Sequence, residues 1–131
     1  MKITEQIKNK RLFFDGGMGT MLQRAGLGAG DVPEKWNISH PEEITRVHRA
    51  YLDAGCDILT SNTFGVNTLK YSADEVEQMV RGAFECMREA EKQSGRDVYL
   101  ALDIGPLGRL LEPYGDLSFD DDYSELFKTF Y

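Results

Sequence analysis

Three stretches of this chain combine acids, glycines and small polar side chains in the way that recognition of a small polar molecule requires. The first is DGGMGT at 15–20. Gly16, Gly17 and Gly19 let the backbone come close to a ligand and present amide donors to an anion such as a carboxylate. Asp15 sets an acid beside them. Amides and acid together suit a zwitterion, the amides taking its carboxylate and Asp15 its ammonium. A tight turn capped by Asp15 accounts for the same residues.

The second stretch, SNTFGVN at 61–67, offers Ser61, Asn62, Thr63 and Asn67, whose side chains donate and accept hydrogen bonds and so orient a small polar substrate. A solvated loop turning at Asn62 is the plainer reading. The third, DIGPLGRLLEPYGD at 103–116, opens on Asp103 and places Gly105 and Gly108 around Pro106. Its backbone also allows close approach, and Asp103 equally suits a turn cap. Trp36, the single tryptophan, lies in PEKWNISHP. It either walls the apolar part of a pocket or packs on a neighbouring loop.

Other chemistries fail on spacing. Gly17 and Gly19 fit the first two positions of a GxGxxG dinucleotide fingerprint, but Leu22 stands where the third glycine is needed. No GK[ST] follows the glycines, which removes a phosphate-binding P-loop. Cys56 and Cys86 stand apart without a CxxC, so they are read as small buried apolar side chains rather than a disulfide or a metal knuckle. His48 falls on an apolar helix face and His40 in a first helical turn, and both are read as structural.

The elements that position these loops follow from periodicity. Arg11 to Asp15 is a short apolar run ending in an acid, the pattern of a buried strand. Ser39 and Glu42 form a capping box ahead of Ile44, Val47, His48, Tyr51 and Leu52, an amphipathic helix that Gly55 ends. Cys56 to Thr60 reads as a second strand. Ser72 and Glu75 cap a longer helix whose apolar face is Val76, Met79, Val80, Ala83, Phe84, Met87 and Ala90, stopped by Gly95. Val98 to Ile104 is a third strand, and a last helix starts at Ser118 with Tyr123, Leu126, Phe127 and Phe130 inward.

Strand, helix, strand, helix, strand, helix is an α/β order for a parallel sheet. A doubly wound sheet and a (β/α)8 barrel both use it, and both place their functional face at the carboxyl ends of the strands. The three polar loops all follow strands. Three of a barrel's eight units are counted, and the last five residues, FKTFY, continue an apolar helical pattern without a cap. A truncated chain is therefore expected.

The 131 residues carry 22 acidic and 15 basic side chains, a net charge of -7 that repels phosphate backbones and anionic membrane surfaces. Nucleic acid and membrane are expected not to be partners. The N-terminus MKITEQIKNKR has no apolar signal core, so a cytoplasmic location is expected.

Four segments, FFDGGMGTMLQ, PEKWNISHPEEI, VHRAYLDAGCDILTSNTFGVN and DIGPLGRLLEPYGD, resemble the homocysteine S-methyltransferase family in the same order and register. The wording DGGMGTMLQ and TSNTFG is most similar to the N-terminal homocysteine-binding domains of cobalamin-dependent methionine synthases. The resemblance implies that residues 1–131 are one partial homocysteine-binding domain, the first three βα units of a truncated (β/α)8 TIM-type barrel. It implies a methyltransferase in which a zinc ion held by three cysteine thiolates activates homocysteine, whose thiolate accepts a methyl group to give methionine. Asp15, Gly16 and Gly17 match the family's amino-acid cradle, and Trp36, Asn62 and Thr63 match positions lining the same pocket. No metal ligand and no catalytic residue of the family falls within this sequence, because the zinc cysteines come from later strands. The isolated chain is therefore expected to be inactive. The methyl donor stays open, methylcobalamin among the candidates. A non-catalytic partial-barrel module, pairing with itself or with a missing barrel half, is the alternative.

Overall fold

A computed structural model describes residues 2–131. Its centre is two long helices over a small parallel sheet. Helix α4 (Pro41–Asp53) is followed by strand β1 (Ile58–Thr60), helix α5 (Ala73–Ser94) and strand β2 (Tyr99–Ala101). The strands pair in parallel, Ile58 with Tyr99, Leu59 with Leu100 and Thr60 with Ala101. Short helices α1 (Ile3–Gln6), α2 (Met18–Arg24) and α3 (Trp36–Ser39), with a 3-10 turn at Pro33–Lys35, precede α4, and α6 (Phe119–Phe130) follows β2.

The expected first strand is reduced to one parallel bridge, Phe14 to Ile58. Phe13 O accepts from Asp57 N and Ile58 N, and Asp15 N donates to Ile58 O, so the run does lie along β1. Phe13 and Phe14 are nevertheless 62% and 61% exposed, so packing does not extend the pairing. The sheet thus has two strands rather than three.

Helix α4 starts later than the spacing suggests. Ser39 closes α3, its hydroxyl donating to Lys35 O at 3.2 Å, and the Ser39–Glu42 capping box does not form. Proline decides the boundary. Pro41 has its φ preset for the first helical position and pushes His40 out of the helical region, to φ -139 and ψ 52. The predicted buried face holds, with Ile44, Val47, His48 and Leu52 all shielded.

Helix α5 follows its sequence closely. The Ser72–Glu75 capping box is complete, and Gly95 ends the helix at φ 66, where a side chain would be strained. Its inner face joins two apolar clusters with α4, one with Leu22, Leu27, Ile44, Val47 and Cys86 and one with Leu52, Cys56, Leu59, Met87 and Ala90, which bring in α2 and β1 as well.

Helix α6 is capped by Ser118 as expected, but only part of its expected inner face turns inward: Leu126 and Phe130 are half-buried, and the aromatic row at Tyr123 and Phe127 is not. Tyr123 and Phe127 are 63% and 49% exposed and stack in a row with Tyr131, while the one buried residue of α6 is Thr129. The cause is polar. Thr68 bonds both Glu125 and Thr129, which seats that polar edge of α6 and leaves the aromatic stripe outside.

Candidate functional site

The carboxyl ends of the strands open into one cleft of about 330 Å³, lined by the first and second polar loops, the 33–34 turn and Asp103. Larger hollows lie elsewhere, of about 670 Å³ beside the N-terminal segment, about 700 Å³ between α5 and α6, about 510 Å³ where Asp15 and Gly16 meet Tyr51 and Cys56, and about 340 Å³ between α4 and α5. Of these only the hollow at Asp15 touches a polar loop, and it takes residues from the first loop alone. The convergence of polar groups therefore singles out the smaller cleft.

Gly16, Gly17 and Gly19 all line it, for different reasons. At Gly16 an added Cβ would lie 2.9 Å from the Tyr51 hydroxyl, so a side chain there would have to push the Tyr51 ring aside. Gly17 is different. Its φ of -59 and ψ of 121 suit any residue, and a Cβ would find its nearest neighbour at 4.0 Å. Gly19 has open space and is not among the glycines with positive φ. Neither conformation nor protein packing explains glycine at 17 and 19. Their bare backbone forms one wall, at the start of a helix whose N-cap, Gly17, provides no side-chain bond.

Asp15 does not line the cleft. Its side chain is 3% exposed, with Oδ2 accepting from Thr60 N at 2.9 Å and Oδ1 from Thr60 Oγ1 at 2.7 Å. Burial pushes the carboxyl above its usual range against the pull of both Thr60 bonds, and Asp103's charge adds to the rise. Asp15 ties the glycine loop to the end of β1 from beneath. The acids on the walls are Glu34 and Asp103. Burial, and then the charge of Glu34, pushes the Asp103 carboxyl up.

Glu34 carried no signal in the sequence beyond being an acid in a polar turn. It is 7% exposed, and its Oε1 accepts the Gly65 amide at 2.6 Å. Asn37 was equally silent. Its Nδ2 donates to Asn62 O and Met79 O, while Asn62 Nδ2 donates to Asn37 Oδ1 and Pro33 O. Asn62 lines the cleft, yet its amide protons are spent on this framework. Thr63 is fully buried outside the lining and donates to Asp103 O at 2.7 Å. Its proton being used, Ser61 donates to Thr63 and accepts from Asp103 N, a closed ring joining the second loop to the third. Trp36 is half-buried against the Leu22 and Ile44 cluster, stacked on His40 at 4.3 Å, and is not part of the lining.

Neither cysteine reaches the cleft. Cys56 and Cys86 sit in the two apolar clusters, and burial pushes both thiols up, away from the thiolate form that zinc takes. Among the described residues no group of three His, Cys, Asp or Glu side chains is placed to hold a metal. The residues present do not fit a zinc site. No helix among the described residues is long and apolar enough to cross a membrane.

The α/β fold is shared with solved homocysteine methyltransferase structures. The oxidised form of homocysteine methyltransferase MmuM from Escherichia coli superposes with a TM-score of 0.69 at 21% identity, over 78% of this chain and 40% of that one. Its metallated form gives 0.67 at 21% identity, over 79% and 41%. The chain thus spans about two fifths of the length of these structures. In sequence, the homocysteine S-methyltransferase family profile matches residues 12–131, and the chain belongs to that family. Its relatives are methyltransferases.

Proposed function

We propose that this chain forms the first βα units of a (β/α)8 homocysteine S-methyltransferase barrel and supplies the part of its site that holds the amino-acid end of homocysteine. The observation that carries this reading is the pairing of walls in one cleft. Gly17 and Gly19 offer bare backbone that no packing demands, and Glu34 and Asp103 stand across from them as acids. Two carboxylates sharing a small cleft repel each other, and an ammonium between them relieves that repulsion. The α-carboxylate of homocysteine lies against the glycine backbone, with Asp15 bracing the loop from below.

Sulfur activation is not assembled by these residues. In this reading the zinc thiolates and the recognition of the methyl donor, methylcobalamin or another, are not among these residues. The exposed Phe13, Phe14, Tyr123 and Phe127 favour a second reading, a partial barrel that works only when paired with a second copy or with a complementary half.

Calorimetric titration of the chain separates these readings. L-homocysteine is expected to bind saturably, and 4-mercaptobutanoate, which lacks the α-amino group, at least tenfold more weakly. Equal binding of the two would remove the role assigned to Glu34 and Asp103. No binding by a monomer, with binding by a dimer, would favour the paired module.

A further inference from the structure

His48 has no use in the arrangement described so far, and its surroundings give it one. The ring projects from α4 into the interior and is fully shielded from solvent, yet neither nitrogen has a hydrogen-bond partner. Buried polar groups left so are rare in native proteins and call for an explanation. The carboxylate beside it is Asp15, with Oδ2 at 3.9 Å from His48 Nδ1. That gap is just beyond hydrogen-bond reach, and a shift of about 1 Å closes it.

The other groups around Asp15 are already engaged. Thr60 gives one donor to each carboxylate oxygen. The Tyr51 hydroxyl donates to Gly17 O instead. Cys56 and Tyr51 stay protonated, since burial and Asp15's own charge raise both, and Asp103 adds only like charge. A carboxylate oxygen accepts more than one hydrogen bond, so Oδ2, with the Thr60 N–H bound, has capacity for another. Burial keeps that imidazole neutral, so the contact is a hydrogen bond in waiting rather than an ion pair.

We propose that His48 is the positioning residue of Asp15: in its Nδ1–H tautomer it closes the gap and donates to Oδ2 in the free chain, and holds that bond more firmly as the cleft fills, fixing the carboxylate that ties the glycine loop to β1. The loop backbone then meets its ligand in a set register, and the otherwise unpaired imidazole has its partner. The ligand half of this inference rests on the homocysteine reading. The Asp15–His48 coupling does not.

Nitrogen-15 NMR of histidine-labelled chain, with and without L-homocysteine, reads the tautomer directly. The Nδ1–H form is expected, with its proton moving downfield on addition of ligand, and an Nε2–H form overturns the proposal. Carbon-13 titration of Asp15 supplies the second measurement. In His48→Phe the proton affinity of Asp15 is expected to rise about tenfold, and His48→Asn, which keeps an N–H near the Nδ1 position, restores it. Homocysteine affinity follows the same order. Both variants destabilising the chain while Asp15 titrates as before would mean that His48 only fills space, and the proposal would fall. If Asp15 responds but homocysteine never binds, the homocysteine reading fails and the positioning role stands.

Discussion

The Glu34 carboxylate holds the Gly65 backbone amide at 2.6 Å, which ties the turn at 33–35 to the loop at 61–67 beside the cleft. Removing the acid leaves a half-buried N–H without its acceptor. Glu34→Ala is expected to lower stability by roughly 1–3 kcal/mol in urea unfolding. Glu34→Gln keeps an acceptor but not the charge, so it should retain most of that stability while binding L-homocysteine about tenfold more weakly. Equal affinity in the Gln variant would leave Glu34 a purely structural role.

Asn37 carries more of the framework than any residue of the cleft wall. Its amide serves Asn62 O and Met79 O, and its oxygen receives Asn62 Nδ2. Asn37→Ala strips three bonds from buried partners and is expected to cost about 2–4 kcal/mol, measured as a fall in the urea midpoint at unchanged slope. A loss below about 0.5 kcal/mol would show that water replaces the side chain without penalty.

The two neighbouring glycines should behave oppositely. Gly16→Ala drives a Cβ into the Tyr51 hydroxyl and is expected to destabilise by about 1–3 kcal/mol. Gly17→Ala has room and an ordinary backbone conformation, so its stability should stay within about 0.5 kcal/mol while ligand affinity drops. The same pattern in both would mean that packing, not ligand approach, explains the whole loop.

Acid should weaken the fold through His48. Burial lowers its pKa to about 4, against an ordinary value near 6.5. Between those values the unfolded imidazole binds a proton that the folded one refuses, so stability falls as pH falls through that window, by up to roughly 3 kcal/mol. Asp15 works in the other direction. Its raised carboxyl takes a proton first in the folded chain, which favours folding as pH falls through its own titration. Urea midpoints from pH 7 to 4.5 in the chain and in His48→Phe should show a steeper loss in the unsubstituted chain, and parallel curves would contradict this.

How legible all this was in the sequence depended on whether local chemistry or distant contacts decided the outcome. The start and end of α5 could be read because Ser72, Glu75 and Gly95 act within one helical turn. The start of α4 was missed although Pro41 was in plain view, because the Ser39–Glu42 spacing imitated a cap that proline overrules. The orientation of α6 was readable only in part, at Leu126 and Phe130 and not at Tyr123 and Phe127. It depends on Thr68 meeting Glu125 and Thr129 across about sixty residues of chain, and apolar periodicity says nothing of such a pair. At the site, the glycines and Asp103 announced themselves by type and place. Glu34 and Asn37 did not, since their importance comes from what the fold brings against them.

The central claim is that the glycine loop and the two acids hold the amino-acid end of homocysteine, and amide chemical-shift mapping of the chain titrated with L-homocysteine tests it most directly. Saturable shifts centred on Gly16, Gly17 and Gly19, with carboxyl shifts at Glu34 and Asp103, are the predicted result. Saturable shifts clustered instead in the hollow between α5 and α6, with the glycine amides unmoved, would contradict it.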